Sequence, residues 1–154
     1  MVPRNILLFV TFAVMLAPVP SPAVAQWLDP GRKWEERDAQ GRRTGSIEPN
    51  QRGYVERDAQ GRRTGSGEYG SSGRIIERDA QGRRTGSIEP GSGGNYVTRD
   101  AQGRRTGTVE QRSGGGYVTR DAQGRRTGTI EPGPGGSWIH RDAQGRRTGT
   151  DQPR

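Results

Sequence analysis

Apolar positions follow two different patterns along this chain. From Ile6 to Ala17 they run almost unbroken, whereas from Trp34 onward they come singly or in pairs and recur at a fixed spacing. The second pattern is set by nine letters, RDAQGRRTG, which begin at Arg37, Arg57, Arg78, Arg99, Arg120 and Arg141, 20 residues apart once and 21 apart four times. Ahead of each copy stand three residues with an apolar start: WEE, YVE, IIE, YVT, YVT and WIH. Behind most copies stand Ser or Thr, an aliphatic residue and Glu, as in SIEP, TVEQ and TIEP. Glycine-rich joints such as GSGGN and RSGGG separate the units. A period this short makes each unit one supersecondary element whose apolar residues need its neighbours for burial.

The unit reads as strand, turn, strand, joint. Aromatic and β-branched residues such as Tyr96-Val97-Thr98 suit a strand. Asp at the first place and Gly at the fourth mark a type I turn. That assigns turn roles to Asp38 and Gly41, Asp58 and Gly61, Asp79 and Gly82, Asp100 and Gly103, Asp121 and Gly124, and Asp142 and Gly145. Two registers compete. A bulged turn sets Arg99 opposite Arg105, an unfavourable like-charge pair. A two-residue Gln-Gly loop instead sets Tyr96 opposite Val109 and Thr98 opposite Gly107, but asks Gln102 for positive φ. The bulged turn is the favoured alternative. No 3.6-residue apolar period appears beyond the N-terminal run. The expected fold is all-β: six tandem β-hairpin repeats, about twelve short antiparallel strands, in an extended meander or solenoid-like sheet.

The N-terminal run has a different meaning. Arg4, the apolar stretch, Pro18 and Pro20, and the triplet Ala23-Val24-Ala25 compose a secretory signal peptide over 1–25, with cleavage between Ala25 and Gln26. A lead over 26–33 and the repeat region 34–154 follow. Without residues 1–25, only 18 large apolar side chains remain. At about 1.5–3 kcal/mol each they cannot order so many residues as a conventional globule, so a thin fold, a partner or mobility is implied. Arg4 is the only charge in the signal, so its loss takes the net charge from +8 to +7, nearly all of it arginine. Such a balance favours acidic partners.

The ends differ from the middle units. Asp151 takes the place of the return-strand aliphatic residue and Glu35 that of Val or Ile, as polar caps on a stacked array would. Gly67 stands where Ile47 and Ile88 stand elsewhere, with Tyr69 a candidate to fill the gap and 65–73 the expected weak point. With no cysteine and a single histidine, His140, a His/Cys metal site or a Cys–His or Ser–His pair is not expected. His140 itself reads as a surface strand residue.

The units, in the form YVTRDAQGRRTGTIEP, resemble those of small exported bacterial proteins with tandem DxxGR-TGT(I/V)E hairpins, over residues 34–154. The period and turn are also similar to MORN repeats and choline-binding modules, but the Gly-aromatic spacing of the first and the aromatic cages of the second are missing. The resemblance carries no functional residue. The expectation is therefore a periplasmic or secreted, non-enzymatic protein without cofactor or metal, acting as a structural or interaction module of the cell envelope. The alternative is binding of polyanions, such as lipopolysaccharide or an acidic glycan, through Arg42, Arg43, Arg62, Arg63, Arg83, Arg84, Arg104, Arg105, Arg125, Arg126, Arg146 and Arg147. Another envelope protein is the other candidate partner. Export disfavours nucleic acid, and no membrane span is expected once the signal is removed.

Overall fold

A computed structural model describes residues 32–154; the expected signal peptide, its Ala25–Gln26 cleavage point and most of the lead lie outside them. Each nonapeptide joins two strands. The pairs are β1 (Trp34–Asp38) with β2 (Arg43–Asn50), β3 (Gly53–Asp58) with β4 (Arg63–Tyr69), and β5 (Ile75–Asp79) with β6 (Arg84–Pro90). Then follow β7 (Tyr96–Asp100) with β8 (Arg105–Gln111), β9 (Tyr117–Asp121) with β10 (Arg126–Pro132), and β11 (Trp138–Asp142) with β12 (Arg147–Pro153). Short 3-10 turns occupy three of the joints, at Ser71–Gly73, Ser92–Gly94 and Pro134–Gly136.

The twelve antiparallel strands do not remain an open meander or a solenoid. They follow one another in chain order and close into a barrel through β1 and β12, with Trp34 opposite Pro153, Glu36 opposite Asp151 and Asp38 opposite Gly149. The physical reason is the one-sided distribution of apolar residues. An open single sheet would leave that face in water, while curling it inward buries it without a second layer.

The hairpin supplies the curl. In each turn the Asp carbonyl accepts the Gly N–H, at 3.0 Å for Asp100 and Gly103, and the Asp N–H donates to the next Arg carbonyl, at 2.9 Å. The six turn glycines have φ between +80° and +83°, the left-handed value that closes a bulged loop. The favoured turn is therefore present, with Arg99 opposite Arg105. Yet Tyr96 also lies opposite Val109 and Thr98 opposite Gly107, the pairing that belonged to the rival register. Thr106 reconciles them, as an extra residue that shifts the register by one. All six hairpins carry the same shift. Two bulges per hairpin increase twist and bend the strands, which is the device that closes a sheet.

Inside, Trp34, Ile47, Tyr54, Ile75, Ile88, Tyr96, Val109, Tyr117 and Ile130 are buried and Trp138 packs against them. They form a floor toward the joints. The ends of the array are not caps on free edges: Glu35 and Asp151 are both buried at the closing seam. Glu35, on the outer surface, is covered by Arg37, with Arg154 at 3.1 Å and Arg43 at 3.8 Å. Asp151 points inward, where its strand neighbours would place an aliphatic side chain.

Candidate functional site

The six nonapeptide turns gather at one end of the barrel, where the Asp, Arg and Gly of the repeat each take a defined place. The Asp side chain folds back over its own loop. In the fourth copy Asp100 Oδ1 accepts from the Gln102 and Arg104 backbone N–H groups at 3.0 and 2.9 Å, and Oδ2 accepts from Arg104 Nε at 2.7 Å. The same pair, at 2.7–2.8 Å, ties Arg42, Arg62, Arg83, Arg125 and Arg146 to their turn aspartates. Partial desolvation pushes the six Asp carboxyls up, but hydrogen bonds and charge from the same arginine outweigh it and hold them below the usual range. These six arginines keep 76–78% of their side chains exposed, and only Nε is engaged.

The second arginine of each pair lies on the return strand, opposite the first residue of the nonapeptide. Arg63, Arg84 and Arg147 donate through Nη2 to Ser66, Ser87 and Thr150 at 2.8, 3.4 and 3.3 Å. Arg43 has Glu35 nearby, while Arg105 and Arg126 make no side-chain hydrogen bond or ion pair among the described residues. The like-charge pairing is offset by a belt around the outside. Arg57, Arg78, Arg99, Arg120 and Arg141 donate from Nε to Glu48, Glu68, Glu89, Glu110 and Glu131 of the preceding strand at 2.9–3.0 Å. Arg37 reaches Gln152 across the seam at 3.2 Å. Each of these first arginines also donates from Nη1 to its turn Gly carbonyl, as Arg99 does to Gly103 at 3.0 Å. Half-exposed ion pairs of this kind contribute only about 0.2–1 kcal/mol each. The strands under this belt run from five to eight residues. No helix among the described residues is long and apolar enough to cross a membrane.

Inward-facing residues become more exposed from the joints toward the turns, so the barrel opens at the turn end. Above the apolar floor the wall carries Glu36, Glu56, Glu77, Thr98, Thr119 and His140. Each stands opposite the final glycine of a nonapeptide: Gly45, Gly65, Gly86, Gly107, Gly128 and Gly149. That glycine is required by close approach. A Cβ on Gly107 would collide with the Arg120 carbonyl oxygen and press on Thr98 Oγ1 at 3.3 Å, and one on Gly86 would sit 2.9 Å from Glu77 Oε2.

Burial dominates the electrostatics of this wall. It pushes the Glu36 carboxyl up to about 8, with Asp151 and Glu56 adding like-charge repulsion, and Glu77 up to about 7, with Glu56 adding to it. Glu56 rises for the same reason. Glu36 and Glu77 therefore hold protons near neutral pH and act as donors as well as acceptors. Within the fourth and fifth hairpins, Thr106 donates to Thr98 and Thr127 to Thr119, both at 2.9 Å. His140 is not a surface residue: its side chain is 14% exposed, points inward and lies 3.1 Å from Asp151 through Nε2. Among the described residues no cluster of three or more His, Asp or Glu is placed to hold a metal ion.

The gap at Gly67 is not filled by Tyr69, which is 43% exposed. Tyr54, 2% exposed, lies across it, so a Cβ on Gly67 would collide with the Tyr54 ring and hydroxyl. The inward glutamates and His140 were missed as site residues because they read as the polar side of each strand. Their signal is the period of two: Glu36, Glu56 and Glu77 follow Trp34, Tyr54 and Ile75 by two residues and so share their face. No family model matches the chain, and no curated protein or solved structure is significantly similar to it.

Proposed function

We propose that this chain is an exported, non-enzymatic interaction module of the cell envelope, active from Gln26 onward. Its interacting face is the basic crown at the turn end, and its partners are envelope polyanions such as lipopolysaccharide or an acidic glycan. The observation that carries this reading is the sixfold repetition of one arginine arm tied to its own turn. Arg42, Arg62, Arg83, Arg104, Arg125 and Arg146 are each held by a turn aspartate at Nε while their Nη edges face solvent. The second arginines stand beside them. A guanidinium oriented in advance loses less freedom on meeting a phosphate or carboxylate, and planar two-point contacts suit both anions.

The test is binding of lipopolysaccharide and of a sulfated glycan to the purified chain across a salt series. Affinity should fall steeply with ionic strength. Replacing Arg104, Arg105, Arg125 and Arg126 with Gln should weaken binding by about tenfold or more and leave the strand signal in circular dichroism intact. Salt-insensitive binding, or full affinity in that variant, would remove the crown from the account.

A further inference from the structure

The wall inside the mouth is chemically divided. On the arc made by β12, β1, β3 and β5 it carries Asp151, Glu36, Glu56 and Glu77, and on β7 and β9 it carries only threonine hydroxyls. Acidic side chains crowded on one side of a barrel are not by themselves a site. A second observation lies within the arc. The Tyr54 hydroxyl is buried and makes no hydrogen bond, and Glu77 Oε1 is likewise buried without a partner. The two are neighbours, because the Tyr54 ring ends over Gly67 and Gly67 is the register partner of Glu77. A buried phenol and a buried carboxylate oxygen left unbonded are costly, and both can accept a hydrogen bond.

We propose that this arc binds the ammonium group of a primary alkylamine, held between Glu56, Glu77 and the Tyr54 hydroxyl, with its alkyl part directed toward the open turn end. An ammonium matches the place because it has three N–H donors for three acceptors and a single charge. The carboxyls do not converge as the ligands of a metal ion would. The arginine crown at the mouth also disfavours multivalent cations, which it repels more strongly than a singly charged one. Binding of a cation favours the ionised carboxylates, so protons leave as the amine enters.

The experiment is isothermal titration of the purified chain with n-butylammonium chloride at pH 6.5, in two buffers of different ionisation enthalpy. The expected result is one saturable site whose heat differs between the buffers because protons are released. Glu77→Gln should weaken binding roughly tenfold or more, since a charge-assisted contact is lost. Tyr54→Phe should weaken it several-fold. Glu110→Gln, on the outer belt, should leave it unchanged. Circular dichroism and a thermal melt on each variant separate a lost site from a lost fold, and Tyr54→Phe keeps the packing in any case. Absence of saturable heat, equal binding of n-butanol, displacement by magnesium ion, or undiminished binding in folded Glu77→Gln would each overturn the proposal. Crown binding of polyanions is measured separately, so either reading can fail alone.

Discussion

Raising the pH from 5 to 9 strips protons from carboxyls that the barrel keeps inside, and the fold should weaken across that range. Glu36 holds its proton up to about pH 8 and Glu77 up to about pH 7 in the folded chain, against 4.5 for an ordinary glutamate. Between 4.5 and those values the unfolded chain is ionised while the barrel is still protonated. The folded state then binds more protons, so stability is full below 4.5 and is lost as pH rises through the folded values. At 1.36 kcal/mol per unit, Glu36 alone accounts for about 4–5 kcal/mol and Glu77 for about 3–4. Their shared neighbour Glu56 makes the two non-additive, so a total of about 4–7 kcal/mol is expected. That is a large share of the ~5–15 kcal/mol that holds a typical domain. The turn aspartates act in the opposite sense, since their lowered values stabilise above 3.8 and fail as pH drops further. Stability should therefore peak near pH 4–5. Urea denaturation followed by tryptophan fluorescence, with Trp34 buried in the floor, reads this as a midpoint that falls from pH 5 to pH 8.5. Glu36→Gln should flatten the fall. A midpoint that is constant or rises over that range, or an unchanged slope in the variant, would refute the reasoning.

Two further substitutions invert common expectation. Gly67→Ile restores the residue found in neighbouring units, yet it should destabilise by about 1–3 kcal/mol because the new side chain takes the space of the Tyr54 ring; a thermal melt decides the sign. Gly107→Ala should also destabilise by roughly 1–3 kcal/mol, against the usual small gain from replacing a strand glycine, because its Cβ meets the Arg120 carbonyl. A melting temperature at or above the parent's in either variant would show that the close approach does not exist.

Much of this architecture is legible in single letters. Asp100 and Gly103 announce their turn, and Tyr96 with Val109 announces the inward face. What the letters conceal is closure. Nothing at Trp34 or Asp151 says that β1 and β12 will meet; that follows from curvature summed over six hairpins, and each contribution is a one-residue bulge at a threonine such as Thr106. Two registers seemed to exclude each other only because one bulge was counted where there are two. The polar ends were misread for the same reason. Glu35 and Asp151 break the apolar pattern as caps would, but at a seam their carboxylates meet Arg154 and His140 instead of water. The arginines of the crown were visible throughout, whereas the acidic wall was hidden by the habit of assigning glutamate to solvent.

Closure is the central claim, and a cross-link across the seam measures it. Glu35 on β1 lies opposite Gln152 on β12, and the chain contains no native cysteine to interfere. In an open meander these strands would stand about 50 Å apart, eleven strand spacings of roughly 4.8 Å. In the barrel they are neighbours within the ~4.4–6.8 Å Cα separation a disulfide accepts. Oxidation of the dilute Glu35→Cys/Gln152→Cys variant should give an intramolecular disulfide in a monomer, seen by non-reducing electrophoresis and intact mass. Free thiols, or disulfide-linked dimers alone, would contradict the closed barrel.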